Sequence, residues 1–402
     1  MSDPSRVQVT GPLVQFAEGF TAELIRQGYR RNAAADQLRL MAHLSRWLAQ
    51  RGLNTEDMTS SVLRKFLTAR RLQGYTWWLS PKALAPFLDY LRGLGLAPTE
   101  PKPAPSPSEQ LLDRFRSYLL NTRGLVAATV RGYVDMVRPF VAARAAAGGL
   151  DWPALTGEQV NAFIRRACRK RSRGSASLLV VALRSLLNYL HLEGLLARPL
   201  AETVPAVACS RLAGLPRSLP SRDVERMLAV CDRRTPAGRR DFAMLMLLAR
   251  LGLRAGEVRT LELGDIDWRA GELRVRGKGN RSERLPLPRE VGQAIAAYLR
   301  RGRPESAQGR TVFVRVHAPH RPLSSGGVTE AVASAALRIG LTGVTAHRLR
   351  HTLATEMIRA GASLPEIAQV LRHRRLVSTA IYAKVDREGL RQLARAWPGD
   401  MP

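Results

Sequence analysis

The stretch His347-Arg348-Leu349-Arg350-His351-Thr352 decides how this chain is read. It opens a segment, Ala346 to Ala360, with helical spacing of its apolar residues, and Gly361 supplies a C-terminal stop. On a helix His347 and Arg350 stand at i and i+3 on one face, where both can converge on one anion. A guanidinium offers a planar fork of donors that matches phosphate oxygens, and an imidazole exchanges a proton near neutral pH. His347 and His351, at i and i+4, also raise a metal pair, but no acidic or cysteine ligand at metal-site spacing accompanies them, so no metal is expected.

Chemically useful residues continue on both sides. Downstream, Ser363 and Glu366 form a capping box with Leu364, Ile367, Ala368 and Leu371 on one face, then come Leu371-Arg372-His373 and, nine residues past His373, Tyr382. Upstream, Phe242, Leu245, Met246 and Ala249 predict a buried helix that leads into Gly252-Leu253-Arg254-Ala255-Gly256-Glu257. Glu257 is placed one helical turn on to orient the Arg254 guanidinium, although an Arg-x-x-Glu pair alone is usually a structural ion pair. Glu272 to Arg276 and Ser282 to Leu287 predict two short strands joined by the turn Gly277-Lys278-Gly279-Asn280. Helices are expected again at Arg289 to Arg301 and Ser325 to Ile339, the latter stopped by Gly340, and Ser221 is a plausible N-cap at the start of this region.

Further out, Pro98, Pro101, Pro103, Pro105 and Pro107 predict a semi-rigid linker over 98–107, and Pro205, Gly214, Pro216 and Pro220 a junction over 201–220. The expected organisation is an N-terminal helical domain over 1–97, a middle domain over 108–200 and a C-terminal domain over 221–402. The first two domains resemble one another. Gly52-Leu53-Asn54 through Phe66-Leu67 aligns without gaps on Gly149-Leu150-Asp151 through Phe163-Ile164, and Leu88-Asp89-Tyr90-Leu91 on Leu187-Asn188-Tyr189-Leu190, so 1–97 is read as a duplicate of the middle module. Thr156 with Gln159 makes a capping box before Val160, Phe163 and Ile164, which favours helices. The run Arg165, Arg166, Arg169, Lys170, Arg171 and Arg173 is either a set of phosphate contacts or a solvated helix end.

Length and composition bound the rest. A chain of 402 residues allows two to three domains at about 150 residues each. A 45% hydrophobic and 24% charged composition is that of a folded globular protein. Sixty-three Lys and Arg against 33 Asp and Glu leave a net charge of +30, which points to a polyanionic partner, double-stranded DNA first. The three cysteines are far apart with no CxxC pair, which suits a reducing cytoplasm, and neither a secretory signal nor a membrane span is expected.

Taken together, the Gly252–Glu257, His347–Thr352 and Leu371–His373 boxes with Tyr382 resemble the tyrosine recombinase (phage integrase) family, over about Pro107 to Trp397. The resemblance implies a mainly α-helical fold: a SAM-like core-binding domain, and a mostly helical catalytic domain with a small β-hairpin, together clamping a duplex. It implies a site-specific recombinase that cuts and rejoins DNA strands through a 3′-phosphotyrosine, without cofactor. Tyr382 would be the nucleophile, Arg254 and Arg350 the phosphate clamp, His347 the general base and acid, His373 a hydrogen-bond donor to the phosphate, and Lys278 the acid for the leaving 5′-oxygen. Arginine would donate that proton poorly, and in a chain of only six lysines a lysine between glycines is a pointed choice.

The segment after the nucleophile would dock on a neighbouring subunit, which implies a homotetrameric synapse on DNA, with accessory DNA-bending proteins or partner recombinases as further partners. Service to a mobile element is the favoured role, with a type IB topoisomerase-like enzyme or a non-catalytic DNA-binding regulator as alternatives. Arg372 stands where the family commonly has Gly, and Arg250 where a small or hydroxyl residue is common.

Overall fold

The computed structural model describes residues 3–96, 104–146, 151–206, 218–277, 282–372, 379 and 382. They group into two compact units, residues 101–213 in one and 1–100 with 214–402 in the other. The chain is mainly helical, with a single three-stranded sheet among the described residues.

The N-terminal segment contains α1 (Ala17–Arg26), α2 (Arg31–Ala49), α3 (Ser60–Leu72) and α4 (Pro81–Gly93) around its own core of Phe20, Leu24, Met41, Leu48, Phe66, Phe87 and Leu91. Phe20 meets Phe87 edge to face at 5.1 Å, a geometry set by the ring quadrupoles. The unit spanning 101–213 contains α5 (Pro107–Ser117), α6 (Ala127–Ala146), α7 (Gly157–Cys168) and α8 (Arg173–Leu192). The Thr156 hydroxyl accepts from the Gln159 amide while the Gln159 side chain accepts from the Thr156 amide, both at 3.3 Å, so α7 starts where the capping box places it.

The two modules bury equivalent residues. Thr59 caps α3 as Thr156 caps α7, and Leu63, Phe66 and Leu67 are buried as Val160, Phe163 and Ile164 are. Leu91 near the end of α4 and Leu190 near the end of α8 are both fully buried. Helix α8 is the one described helix long and apolar enough to cross a membrane, but Leu179, Leu183, Leu186, Leu187 and Leu190 are spent in the core of this unit. Within the stretch expected as a junction, a helical turn at Leu200–Thr203 places Ala201 and Val204 in the same core.

From Leu219 onward the chain forms α9 (Ser221–Ala229), α10 (Pro236–Arg250), α11 (Ala255–Arg259), β1 (Ile266–Asp267), β2 (Glu272–Arg276), β3 (Ser282–Pro286), α12 (Arg289–Arg301), α13 (Ser325–Arg338), α14 (Ala346–Arg359) and α15 (Leu364–Val370). Helix α10 is buried without interruption from Ala243 to Ala249 and packs against α12 and α14, which makes it the central helix. The sheet is antiparallel in the order β1-β2-β3, one strand more than the expected hairpin, because two residues are too short to show alternation. Ser221 is the first residue of α9 rather than its cap, and its hydroxyl donates instead to Glu356 on α14. Ser363 and Glu366 form the expected box at α15.

One glycine positions the site. Gly252, at φ +58 just after α10, brings the backbone against α14 and the chain after α15; a Cβ there would lie 2.8 Å from Leu371 Cδ2 and 3.0 Å from Leu353 Cδ2.

Candidate active site

Arg254 occupies the turn between α10 and α11 and is held from behind. Its amide donates to Glu257 Oε2 at 2.9 Å and its Nη1 to Oε1 at 2.7 Å, so Glu257 fixes both backbone and guanidinium. Glu257 is buried with a side chain 5% exposed, whereas the Arg254 side chain is 42% exposed and free to meet a ligand. Burial alone would raise the Glu257 carboxyl, but the Arg254 amide, the Arg372 charge and the Arg254 guanidinium outweigh it and hold it below its ordinary value. The second charge comes from Arg372, whose bond to Glu257 the sequence did not indicate: its Nη2 donates to Glu257 Oε2 at 2.9 Å from a side chain that is itself 5% exposed.

Arg350, at the start of the second turn of α14, is almost wholly buried, and it donates through Nη1 to the Gly252 carbonyl and through Nη2 to the Leu371 carbonyl. It therefore stitches the Arg254 turn to the chain just after α15. Burial, then the neighbouring Arg254 and Arg372 charges, pull its pKa down; a guanidinium nonetheless stays charged in a protein.

The two histidines of α14 stack edge to face, His347 against His351 at 4.4 Å and His351 against Tyr382 at 5.4 Å. The Tyr382 hydroxyl lies 2.7 Å from His351 Nδ1. His351, one turn beyond His347, is thus a hydrogen-bond partner of the expected nucleophile. Its place in the His347–Thr352 box, at i+4 from His347, was the sequence signal for it. Burial, then His347 and Arg350, lower His351 to about 4, and burial raises Tyr382 to about 12. With the ring neutral and the phenol protonated, one proton is shared along the contact: the hydroxyl donates to Nδ1 in the Nε2–H tautomer and accepts from it in the Nδ1–H tautomer. His347 is lowered as well, by burial, then Arg350 and Arg254. Tyr382 is 1% exposed in an apolar cluster with Ala354, Ile358, Ile367 and Leu371.

Lys278 and His373 lie outside the described residues. Arg165, Arg166, Arg169, Lys170 and Arg173 are exposed around the turn between α7 and α8, Arg171 is partly buried, and among the described residues none of the six has an acidic partner. Among the described residues no group of three His, Cys, Asp or Glu side chains gathers as a metal site.

Residues 217–388 match the phage integrase family, and residues 112–194 match the phage integrase N-terminal SAM-like domain. The chain is 39% identical to y4rA of Sinorhizobium fredii, a protein named as an integrase/recombinase, over 97% of this chain and 96% of that one. It is 29% identical to the tyrosine recombinase XerD of Listeria monocytogenes over 70% of this chain and 96% of the relative. Among solved structures, the XerH site-specific recombinase in its post-cleavage complex with difH DNA is similar at TM-score 0.55 and 17% identity, covering 74% of this chain and 98% of that one. A λ integrase dimer bound to a core site is similar at TM-score 0.52 and 20% identity, covering 72% and 96%. These relatives do not favour the topoisomerase or the silent-regulator alternative. The chain belongs to the phage integrase family of tyrosine recombinases, enzymes that cleave and rejoin DNA strands.

Proposed function

We propose that Tyr382 is the nucleophile of a site-specific recombination reaction on double-stranded DNA and that the structure is its resting state. The observation that carries this reading is the convergence of Arg254, His347, Arg350, His351 and Tyr382 on the Gly252 turn and α14.

The chemistry follows from these groups. The Tyr382 oxygen attacks the scissile phosphorus, an O–P bond forms, and the bond from phosphorus to the 5′-oxygen breaks. The phenolic proton passes to an imidazole of the α14 pair, with His347 as general base and acid. The departing oxygen takes a proton from Lys278. Arg254 and Arg350 face the non-bridging oxygens as negative charge builds, with His373 as a further donor to them, which is stabilisation by preorganised donors. A phosphotyrosine ester retains the energy of the broken bond, so a second 5′-hydroxyl reseals it without an external energy source. Resting Tyr382 is withheld from DNA by its burial, which also raises its phenol to about 12 and so disfavours the phenolate. DNA binding must draw the hydroxyl out towards the half-exposed Arg254.

The exposed basic turn between α7 and α8 supports phosphate contacts by the SAM-like module. A homotetrameric synapse, service to a mobile element, and a DNA-binding role for the duplicated module at 1–97 complete the proposal. The test is strand exchange: purified protein is mixed with two duplexes carrying the DNA sequence recovered from its covalent complexes. Crossed-over products support recombination. Sustained relaxation of plasmids lacking that sequence, with no crossed-over product, would contradict it.

A further inference from the structure

Arg372 sits in a position that a purely structural residue would avoid. Its φ is +55, in the left-handed region, where glycine is at ease and a residue with a Cβ is strained. Its side chain is 5% exposed, so a full charge is buried, and its Nε is buried with no hydrogen-bond partner. Glycine here would relieve all three. Such local costs persist where the surroundings over-determine them, commonly at functional sites.

The charge count around Glu257 says what is gained. Arg254 needs Glu257, whose two oxygens hold its amide and its guanidinium. With Arg254 as sole partner, that buried carboxylate would cancel the charge Arg254 is meant to offer to a phosphate. Arg372 places a second guanidinium 2.9 Å from Oε2, on the buried side of the same carboxylate. The trio Arg254–Glu257–Arg372 then carries one net positive charge, and its only half-exposed member is Arg254. Arg350, beside it, also feels the Glu257 charge, but its two bonds go to carbonyls, so Arg372 is the second guanidinium bonded to the carboxylate itself.

Resting on the reading of this site as a strand-cleaving centre, we propose that Arg372 is a positioning residue that neutralises Glu257 so that Arg254 stays oriented yet electrostatically available to the scissile phosphate. It acts through Glu257 and need not touch DNA. Because the role is electrostatic, it belongs to the charge and not to the bulk of the side chain.

The test uses the full chain and a nicked duplex carrying the sequence recovered from wild-type covalent complexes. Single-turnover cleavage at saturating DNA, the Kd for the duplex and the Tm are measured for wild type, Arg372→Met, Arg372→Lys and Arg372→Gly. Wild-type cleavage with none from Tyr382→Phe first establishes the underlying reading independently of Arg372. Arg372→Met, which keeps the stem and the Cβ but not the charge, is expected to cleave at least tenfold more slowly with Kd within twofold of wild type. Arg372→Lys is expected to recover most of that loss. Arg372→Gly, free of backbone strain, is expected to be as slow as Arg372→Met while melting no lower than wild type. In a Glu257→Gln background, where no carboxylate needs neutralising, the further loss caused by Arg372→Met is expected to shrink below threefold. Cleavage by Arg372→Met within twofold of wild type, or Arg372→Lys as slow as Arg372→Met, would overturn the proposal and leave the nucleophile intact.

Discussion

The hydroxyl of Tyr382 is held 2.7 Å from Nδ1 of His351, inside an apolar cluster and not at the surface where Arg254 waits. His351 stays neutral near pH 7 because it is buried beside His347 and Arg350.

Acid is therefore expected to weaken the resting state. In the unfolded chain His351 takes a proton near its ordinary 6.5, but in the fold only near 4. Across that window the unfolded state binds more protons, so stability falls as pH drops from about 6.5 towards 4. His347, also lowered, adds to the same slope. Thermal melts at intervals through this range should show a falling Tm for wild type and a shallower fall for His351→Asn, whose amide oxygen accepts the phenol without titrating. Equal slopes would contradict the assignment.

Arg254 and Arg350 should separate into different phenotypes. Arg350→Ala leaves the Gly252 and Leu371 carbonyls buried without their donor, at about 1–3 kcal/mol for each unsatisfied group, and should be plainly destabilised in urea. Arg254→Ala removes a half-exposed side chain, leaves Glu257 with Arg372, and should keep nearly wild-type stability while losing about 10²–10³ in single-turnover cleavage.

Gly252 should be far less replaceable than Gly340, although both have positive φ. At Gly340 a Cβ meets nothing within 4 Å, so Gly340→Ala costs only the conformational penalty, about 1–3 kcal/mol at most. At Gly252 the same penalty is joined by contacts at 2.8 and 3.0 Å with Leu371 and Leu353. Gly252→Ala is expected to melt lower than Gly340→Ala and to lose cleavage, because the displaced turn carries Arg254. Indistinguishable melts would show that the approach is not tight.

What was legible in the sequence was local. The Thr156 and Ser363 boxes, the stops at Gly340 and Gly361, and the orientation of Arg254 by Glu257 are each encoded within four residues and appear where the spacing puts them. The α14 face that carries His347 and Arg350 was equally plain. What stayed hidden depends on chain segments far apart. Arg372 finds Glu257 across 115 residues, and Tyr382 finds His351 rather than His347 across 31. Helical periodicity places a side chain on a face but does not say which of two adjacent turns a distant residue will meet. Strand β1 escaped for a simpler reason, since a two-residue strand has no alternation to detect.

The central claim is that Tyr382 becomes covalently joined to DNA. The most direct measurement expresses wild type and Tyr382→Phe in the host, arrests them with denaturant, and sequences the DNA that remains attached to protein. Adducts from wild type alone, at one or two discrete sites, are expected. Adducts of equal yield from Tyr382→Phe, or none from wild type with expression and DNA occupancy verified, would contradict it.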